Sequence, residues 1–386
     1  MTFASIETAL TLATAGFCLF CANLLLLRRR DAWVYVPLAL LFLFKGLASG
    51  ALLWAESEGA PDFALRLALL VGGFEVASPF LFWLYVRGLT SEGELERVPR
   101  LRRHILPIVF VVLCFWSALF MPADLVNAEI AEDDPRMPGL LLIALLVLVA
   151  DLSFKVMIGI YIYLTIRRLT TYQARLKEVF ASTENKELTW IWVIMLSAGL
   201  YLLVNILHSA SIWAGALSAA DFEAEALALN SLVLFALFWV LGIWGLRQRP
   251  GLIQSHTDDR LPPEEPAKPK YEKSALDETR AQRIAEKIEA AMSEDLLYRN
   301  PNLSLWDLAK HVGVNSHYLS QTLNAHLDKN FFDLVNGYRI QDAIKQLTQT
   351  EETILVIAYD VGFNSRSAFY KAFKRETGKT PSDLRK

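Results

Sequence analysis

Seven long apolar runs dominate the first two thirds of the chain. A helix that crosses a bilayer needs about 20 mostly apolar residues, and seven stretches reach or approach that length. They cover residues 4–27, 32–54, 63–86, 104–121, 139–166, 188–213 and 226–246. We therefore predict seven transmembrane helices in residues 1–249. The first run is interpreted as an uncleaved helix, because no basic region precedes it and its apolar stretch is long.

Beyond residue 249 the pattern changes twice. Residues 250–276 carry five prolines among charged residues, which is typical of an extended, semi-rigid linker. From residue 277 the apolar positions follow a helical period of i, i+3, i+4 and i+7. One such series is Ile340, Ala343, Ile344 and Leu347. The predicted fold class is therefore all-α, with a seven-helix transmembrane domain (1–249), a linker (250–276) and an all-helical domain (277–386).

The charges between the apolar runs predict which end faces the cytoplasm. The loops after the first, third and fifth runs hold thirteen basic residues, whereas the intervening loops are acidic and hold one, Arg136. Cytoplasmic loops carry an excess of lysine and arginine. We therefore expect the N-terminus outside the cell and the C-terminal helical domain in the cytoplasm, which requires an odd number of spans. The lipid bilayer is thus the first expected partner.

The helical domain contains an internal repeat. LAKHVGVNSHYLSQTL (308–323) and IAYDVGFNSRSAFYKAF (357–373) share an aliphatic-Ala pair followed by Val-Gly-x-Asn-Ser. Glycine tolerates a left-handed backbone, so Gly313 and Gly362 are placed to end the first helix of each copy. Each copy therefore predicts a helix-turn-helix, which presents its second helix to the major groove of DNA.

Local capping signals support the same helix boundaries. Ser304 and Asp307 have the spacing of a capping box at the start of the first copy. The Asn-Ser pair after each glycine, at 315–316 and 364–365, supplies residues that cap the helix that follows. The amphipathic stretch before the repeat has two open interpretations, namely self-association or packing on the domain. Its apolar stripe is Ala281, Ile284, Ile288, Ala291 and Met292.

The second helix of each copy has a face directed away from the predicted core. In the first copy this face holds the polar residues His317, Ser320, Gln321 and Asn324. In the second copy it holds Arg366, Ser367, Tyr370, Lys371 and Lys374. Arginine and lysine at such positions can reach O6 and N7 of guanine. Residues 366–386 hold seven basic and two acidic residues, so phosphate attraction should concentrate at the second copy.

These motifs resemble the DNA-binding domain of the AraC family of bacterial transcription regulators. The matching runs are LSLWDLAKHVGVNSHYLSQTLN, FFDLVNGYRIQDAIKQL and TILVIAYDVGFNSRSAFYKAFKRETGKTPSDLR. The resemblance covers residues from about 303 to 385. It implies a seven-helix domain with two helix-turn-helix units joined by a long helix, a bacterial source and RNA polymerase as a partner. Together with the apolar runs and the loop charges, this predicts a location in the bacterial cytoplasmic (inner) membrane. The base-facing residues that the resemblance implies are His317, Ser320, Gln321, Arg366, Ser367 and Lys371.

Six polar residues interrupt the apolar runs and form a candidate intramembrane signal site. They are Lys45, Glu75, Asp151, Lys155, Asn205 and His208. Ionisable residues inside spanning segments are costly and are candidates for function. Asp151 and Lys155 are four positions apart and therefore share a helix face. Two interpretations stay open: a site that binds a small signal molecule or relays protons, or an ion-paired network that only stabilises the helix bundle.

Together these patterns favour a membrane-bound, sequence-specific DNA-binding regulator that couples a membrane-sensed signal to promoter binding. The expected partners are double-stranded DNA, the bilayer, a small-molecule or membrane signal and a second copy of the chain. No H-E-x-x-H or G-x-S-x-G motif occurs, so no enzyme activity, cofactor or metal site is expected. The alternative is a membrane transporter or receptor with an appended autoregulatory DNA-binding domain. A third variant is a membrane tether without sensing.

Overall fold

In the computed structural model of the protein, the named elements of the described residues are all helices. The residues that it describes are 3–28, 32–61, 63–91, 102–122, 135–184, 186–213, 223–252 and 278–385. The predicted linker therefore lies outside the described residues from position 253 onward. The all-α prediction is confirmed. The chain forms two compact units, Met1–Leu169 with Thr189–Gln254, and Thr170–Leu188 with Ser255–Lys386.

The first unit contains the apolar helices. They are α1 (Phe3–Leu26), α2 (Ala32–Ala55), α3 (Phe63–Gly72), α4 (Ser78–Leu89), α5 (Arg102–Trp116), α6 (Met137–Val179), α7 (Trp190–Trp213) and α8 (Glu223–Arg247). Among the described residues, seven helical stretches are long and apolar enough to cross a membrane, with α3 and α4 forming one stretch between them. The seven predicted apolar runs therefore all fold as helices.

The third apolar stretch, predicted at 63–86, is not one continuous α-helix. A short 3-10 turn, Gly73–Ala77, separates α3 from α4. Pro79 occupies the first turn of α4, where its missing N–H removes no helical hydrogen bond, whereas in the middle of a longer helix it would. Glu75 lies within this turn, so the break determines where one of the charges predicted within the apolar runs is held.

Helix α6 extends well beyond the apolar run predicted at 139–166. It has 43 residues, which corresponds to a length of about 65 Å. Leu169, Tyr172 and Leu176 are buried, and their i, i+3, i+7 spacing continues an apolar stripe through the polar part of the helix. The helix is therefore continuous from its apolar part in the first unit to Thr170–Val179, which belongs to the second unit.

The second unit contains the two helix-turn-helix motifs. Its α-helices within residues 278–385 are α9 (Glu278–Ser293), α10 (Leu305–Val312), α11 (Ser316–Ala325), α12 (Phe331–Gln349), α13 (Ile354–Asp360), α14 (Arg366–Thr377) and α15 (Pro381–Leu384). Helices α10 and α11 form the first motif, and α13 and α14 form the second. The seven helices in this range agree in number with the seven that the AraC resemblance implies.

Helix α12 joins two hydrophobic cores. Phe331 and Val335, in its first half, pack in a core with α9, α10 and α11. Ala343 and Leu347, in its second half, pack in a core with α13 and α14. The five apolar residues of the α9 stripe are all buried, so in this structure that stripe packs on the domain.

Capping side chains begin the helices at the predicted positions. Ser304 and Asp307 form a reciprocal capping box at the start of α10, with N–H···O distances of 3.2 and 3.0 Å. Asn315 caps α11, whereas Ser365 caps α14. The two copies of the Asn-Ser pair therefore use different members as the cap. This difference leaves Asn364 available for another contact.

Candidate functional site

The second recognition helix, α14, has one buried face and one cationic face. Phe369 and Phe373 are fully buried in the second core. On the opposite face the exposed residues are Arg366, Ser367, Lys371 and Lys374. An α-helix with this division is suited to lie in a major groove, because the apolar face fixes it to the domain while the cations face outward. The outward placement predicted for these four residues agrees with their exposure.

Tyr370 has a different place from the other residues predicted on this face. It is half-buried and packs edge-to-face on Phe369, with the ring centres 5.9 Å apart. The guanidinium of Arg366 lies over the Tyr370 ring, 5.0 Å from its centre. A cation over an aromatic ring is attracted by the negative face of the ring. Tyr370 therefore supports the Arg366 side chain at the N-terminal end of α14.

The first recognition helix, α11, is polar and largely neutral. His317 is exposed, and its ring centre lies 6.0 Å from that of Tyr318. Ser320 and Gln321 are half-buried. The Asn324 amide donates a hydrogen bond of 3.5 Å to the Ser320 hydroxyl. These groups can exchange hydrogen bonds with base edges, but they attract phosphate much less than α14 does.

The two helix-turn-helix motifs of the second unit are connected through Arg339 of α12, which is fully buried. Its Nε donates to the Tyr298 carbonyl oxygen at 2.7 Å, and its Nη2 donates to the Asn300 carbonyl oxygen at 2.8 Å. Its guanidinium also lies 5.5 Å from the centre of the Phe363 ring in the second core. Burial lowers the pKa of Arg339 to about 10, so the side chain remains a cation at neutral pH. It therefore helps to fix the spacing of the two recognition helices.

Four of the six polar residues predicted within the apolar runs form two ion pairs. Lys45 Nζ of α2 lies 3.4 Å from the carboxylate of Glu75. Lys155 Nζ of α6 lies 2.6 Å from Asp151 Oδ2 and donates to the Ser209 hydroxyl at 2.7 Å. The second pair therefore connects α6 to α7.

The other two candidates are Asn205 and His208. The Asn205 amide donates to the Tyr201 carbonyl oxygen of its own helix at 2.9 Å. The side chain of His208 lies outside the described part of the structure.

A cavity of about 810 Å³ lies among the helices of the first unit. Lys45, Glu75 and Asp151 are among its lining residues, and most of the others are apolar. Tyr201 and Asn230 also line it. A mostly apolar cavity of this size with a few convergent polar groups has the character of a small-molecule site. The structure therefore brings three of the six predicted residues to one cavity.

The helix-turn-helix region of the chain has relatives among known proteins. Residues 308–386 match the family described as a helix-turn-helix domain. An HTH-type transcriptional regulator of Staphylococcus aureus (strain COL) is 34% identical over 112 residues, which are 29% of this chain and 14% of the relative. An AraC-like transcription regulator of Streptomyces lividans is 36% identical over 93 residues, or 23% of this chain and 30% of the relative. The C-terminal domain is an AraC-type helix-turn-helix domain.

Two solved structures are also similar to part of the chain. One is a protein of unknown function from Listeria innocua, with 29% identity, a TM-score of 0.25, and coverage of 26% of this chain and 94% of that one. The other is the C-terminal domain of AraT, a response regulator from Geobacillus stearothermophilus, with 28% identity and a TM-score of 0.24. It covers 29% of this chain and 87% of that one. The assignment of the AraC-type domain rests on the sequence matches.

One cation of the AraC-type domain was not among the predicted site residues. The guanidinium of Arg280 in α9 lies 4.2 Å from the centre of the Tyr318 ring in α11. The first recognition helix, which has no lysine or arginine of its own, therefore has a positive charge beside it. The two residues are 38 positions apart in the sequence, and no periodicity in α9 or α11 indicates their contact.

Proposed function

We propose that the protein is a membrane-embedded transcription regulator that binds specific promoter DNA. In this proposal residues 1–249 receive a signal, residues 250–276 form the linker, and the AraC-type domain in 277–386 binds DNA. The observation that carries the proposal is the exposed cationic face of α14 within a domain of this type. RNA polymerase is a further partner that the AraC resemblance suggests, and a second copy of the chain is a further proposed partner.

The composition of the second unit supports the proposed topology. Residues 170–188, which form the end of α6 and the connection to α7, belong to the same unit as the AraC-type domain. Only α7 and α8 separate these two parts of the chain, and two membrane crossings return the chain to the side from which it started. The basic loops favour the cytoplasm for that side. This arrangement supports an outer N-terminus and a cytoplasmic DNA-binding domain.

The cavity in the first unit supports reception of a small molecule rather than passive tethering. Its volume of about 810 Å³ lies within the range of about 300–1,000 Å³ that suits small ligands. Its apolar lining suits a hydrophobic body, and the Lys45–Glu75 pair suits a polar or charged end. We therefore infer that the signal is an amphipathic small molecule, with Lys45, Glu75 and Asp151 as the residues that contact it.

Replacing the cations of α14 should weaken DNA binding. We expect Arg366→Ala or Lys371→Ala to cost about 1–3 kcal/mol of binding free energy and to relax base preference at the contacted position. The measurement is the dissociation constant of the full-length protein in nanodiscs. The probe is the duplex fragment most enriched when genomic occupancy of the wild-type protein is mapped. A randomised version of the same fragment measures base preference.

Lys345→Ala provides a matched control for this experiment. Lys345 is an exposed lysine of α12 in the same domain, so its loss changes the net charge by the same amount without altering a recognition helix. We expect its effect to be much smaller than that of Lys371→Ala. Equal losses for the two lysines, or wild-type affinity in Arg366→Ala and Lys371→Ala, would contradict the proposed interface.

The intramembrane charges should control the response to the signal. Promoter output is first measured in the wild type to find the growth conditions between which it changes most. We expect Glu75→Ala and Asp151→Ala to reduce the change in promoter output between those conditions. The reason is that each substitution removes a charge that lines the cavity. The measurement is a promoter fusion, with membrane levels of each variant matched to the wild type by immunoblot.

A charge swap separates ligand contact from simple stabilisation of the helix bundle. The double variant Lys45→Glu with Glu75→Lys keeps an ion pair across the same 3.4 Å contact but inverts the charges that face the cavity. A purely structural pair should tolerate the swap and keep the response, whereas a ligand-binding pair should lose it. Unchanged output and response in both Glu75→Ala and Asp151→Ala would refute the sensing role.

A further inference from the structure

A segment between α6 and α7 packs on the AraC-type domain. We call residues 180–184 and 186–188 the docking segment. Its backbone joins the domain at two points: the Ala181 N–H donates to the Leu303 carbonyl oxygen at 3.1 Å, and the Asn336 amide donates to the Ala181 carbonyl oxygen at 3.2 Å. Ala181 is buried in the core of the first helix-turn-helix unit. The segment is thus part of the packed structure of this domain.

Aromatic contacts strengthen the same attachment. The Phe180 ring packs edge-to-face on Trp306 of α10, with the ring centres 5.7 Å apart. The Lys186 ammonium lies over the Phe180 ring, 3.3 Å from its centre. Burial lowers the pKa of Lys186, while the nearby carboxylate of Asp307 acts in the opposite direction. The docking segment therefore packs against the first helix-turn-helix motif of the domain through specific contacts.

The polar end of the docking segment reaches the second recognition helix. The Asn364 amide donates to the Ser182 hydroxyl at 3.1 Å. The Ser365 hydroxyl donates a short hydrogen bond to the carboxylate of Glu184. Ser365 is the N-cap of α14, and its hydroxyl also accepts from the Ala368 N–H at 3.1 Å. Glu184 therefore lies at the residue that directly precedes Arg366.

Glu184 lies at the N-terminal end of α14, which is the end of a recognition helix that approaches DNA. A recognition helix enters the major groove with its N-terminal residues at the base edges, and the backbone amides and hydroxyls around it contact phosphates. A carboxylate held at that end occupies space that the DNA backbone needs, and it repels phosphate. The segment must therefore leave before α14 can dock fully on DNA.

Connectivity links this contact to the cavity. Helix α6 carries Asp151, which lines the cavity, and it continues without a break to Val179, directly before the docking segment. The segment is also fixed to the end of the helix, because the Tyr172 hydroxyl donates to the Lys186 carbonyl oxygen at 2.9 Å and the Gln173 amide donates to the Glu187 carbonyl oxygen at 2.8 Å. A shift or rotation of α6 would therefore move the segment directly.

We propose that the docking segment is an autoinhibitory element: Glu184 and Ser182 cover the N-terminal end of α14, and a movement of α6 withdraws them so that the helix can bind DNA. The proposal rests on the proposed function, since it requires α14 to be a recognition helix. Only the molecules in which the segment has withdrawn can then bind DNA through α14. The apparent dissociation constant for DNA equals the intrinsic constant divided by the fraction of such molecules. Weakening the contact should raise DNA affinity.

The test uses two charge-matched substitutions in full-length protein in nanodiscs, with the most enriched genomic duplex as the probe. Glu184→Gln removes the charge at Ser365, and a neutral hydrogen bond is weaker than a charge-assisted one. We expect DNA binding about fivefold tighter than wild type. Glu187→Gln removes the same charge from the same segment, but its carboxylate accepts from the Thr183 hydroxyl within the segment. We expect wild-type affinity for that control.

A cross-link tests the same proposal in the opposite direction. In Ser182→Cys/Asn364→Cys, a short bismaleimide should hold the segment on the recognition helix and weaken DNA binding at least tenfold, with each single-cysteine variant as control. Three native cysteines, Cys18, Cys21 and Cys114, are buried in the first unit. The single-cysteine variants also show whether the bismaleimide reacts with these native cysteines.

The outcomes separate the two proposals. If Arg366→Ala weakens binding but Glu184→Gln does not tighten it, or tightens it no more than Glu187→Gln does, autoinhibition is overturned and the DNA-binding function stands. Full DNA affinity in the cross-linked protein also overturns autoinhibition. If Arg366→Ala binds as the wild type does, the recognition role of α14 fails, and autoinhibition through it fails as well.

Discussion

Gly362→Ala is expected to destabilise the AraC-type domain by about 4 kcal/mol, because two separate costs coincide at this residue. Gly362 has a φ of 98°, in the left-handed region. A Cβ at this position would lie 2.7 Å from the Tyr298 carbonyl oxygen and 2.8 Å from the Arg299 carbonyl oxygen. Both atoms belong to the backbone and cannot rotate away. A loss of this size is a large part of the usual stability of a domain.

Gly313→Ala is the matched control. Gly313 occupies the equivalent turn of the first helix-turn-helix and has a φ of 69°, but no atom lies within 4 Å of the position where its Cβ would be. We expect this substitution to cost about 1 kcal/mol, from backbone strain alone. Hydrogen–deuterium exchange of residues 331–377 in urea, in the full-length protein, measures both free energies of unfolding. Equal costs at the two glycines would show that the close approach at Gly362 is not decisive.

Features that depend on neighbouring residues were predictable from the sequence. The capping box of Ser304 and Asp307 was predicted because a serine and an acidic residue three positions apart satisfy each other's backbone groups. The apolar runs were predictable for a similar reason, since a helix in a bilayer needs a continuous stretch of about 20 apolar residues. The face of α14 followed from the helical period of Phe369 and Phe373, which left Arg366 and Lys371 outward.

Features that depend on contacts between distant residues were not predictable. The extension of α6 past residue 166 was missed for a different reason: Leu169, Tyr172 and Leu176 continue a local apolar stripe, but the polar residues between them resemble a loop.

The contact of Glu184 with Ser365 joins residues 181 positions apart. No local pattern specifies such a pairing, because it depends on how the folded elements pack. The same holds for the Lys45–Glu75 pair, which spans 30 positions.

The second large effect is expected at Arg339. Arg339→Ala should lower the free energy of unfolding of the AraC-type domain by about 3–5 kcal/mol, because it removes the donor to the Tyr298 carbonyl oxygen in a buried contact, weakens the contact at Asn300 and opens a cavity. The affected acceptors are the carbonyl oxygens of Tyr298 and Asn300, which Arg339 contacts at 2.7 and 2.8 Å. Arg339→Lys should recover only part of this loss, since an ammonium lacks the planar fork of a guanidinium. Urea unfolding followed by hydrogen exchange measures these losses.

Arg299 shows why burial, rather than hydrogen-bond number, should set the size of the effect. Its guanidinium contacts the Asp342 carboxylate through Nε and Nη2 at 3.1 and 2.8 Å, yet its side chain is 44% exposed. Exposed ion pairs contribute about 0–1 kcal/mol, because water replaces a lost partner. We therefore expect Arg299→Ala to cost far less than Arg339→Ala. Similar losses for the two variants would mean that Arg339 does not stabilise the two helix-turn-helix units through its buried carbonyl contacts. In that case the spacing of α11 and α14 would depend on the apolar contacts of α12 instead.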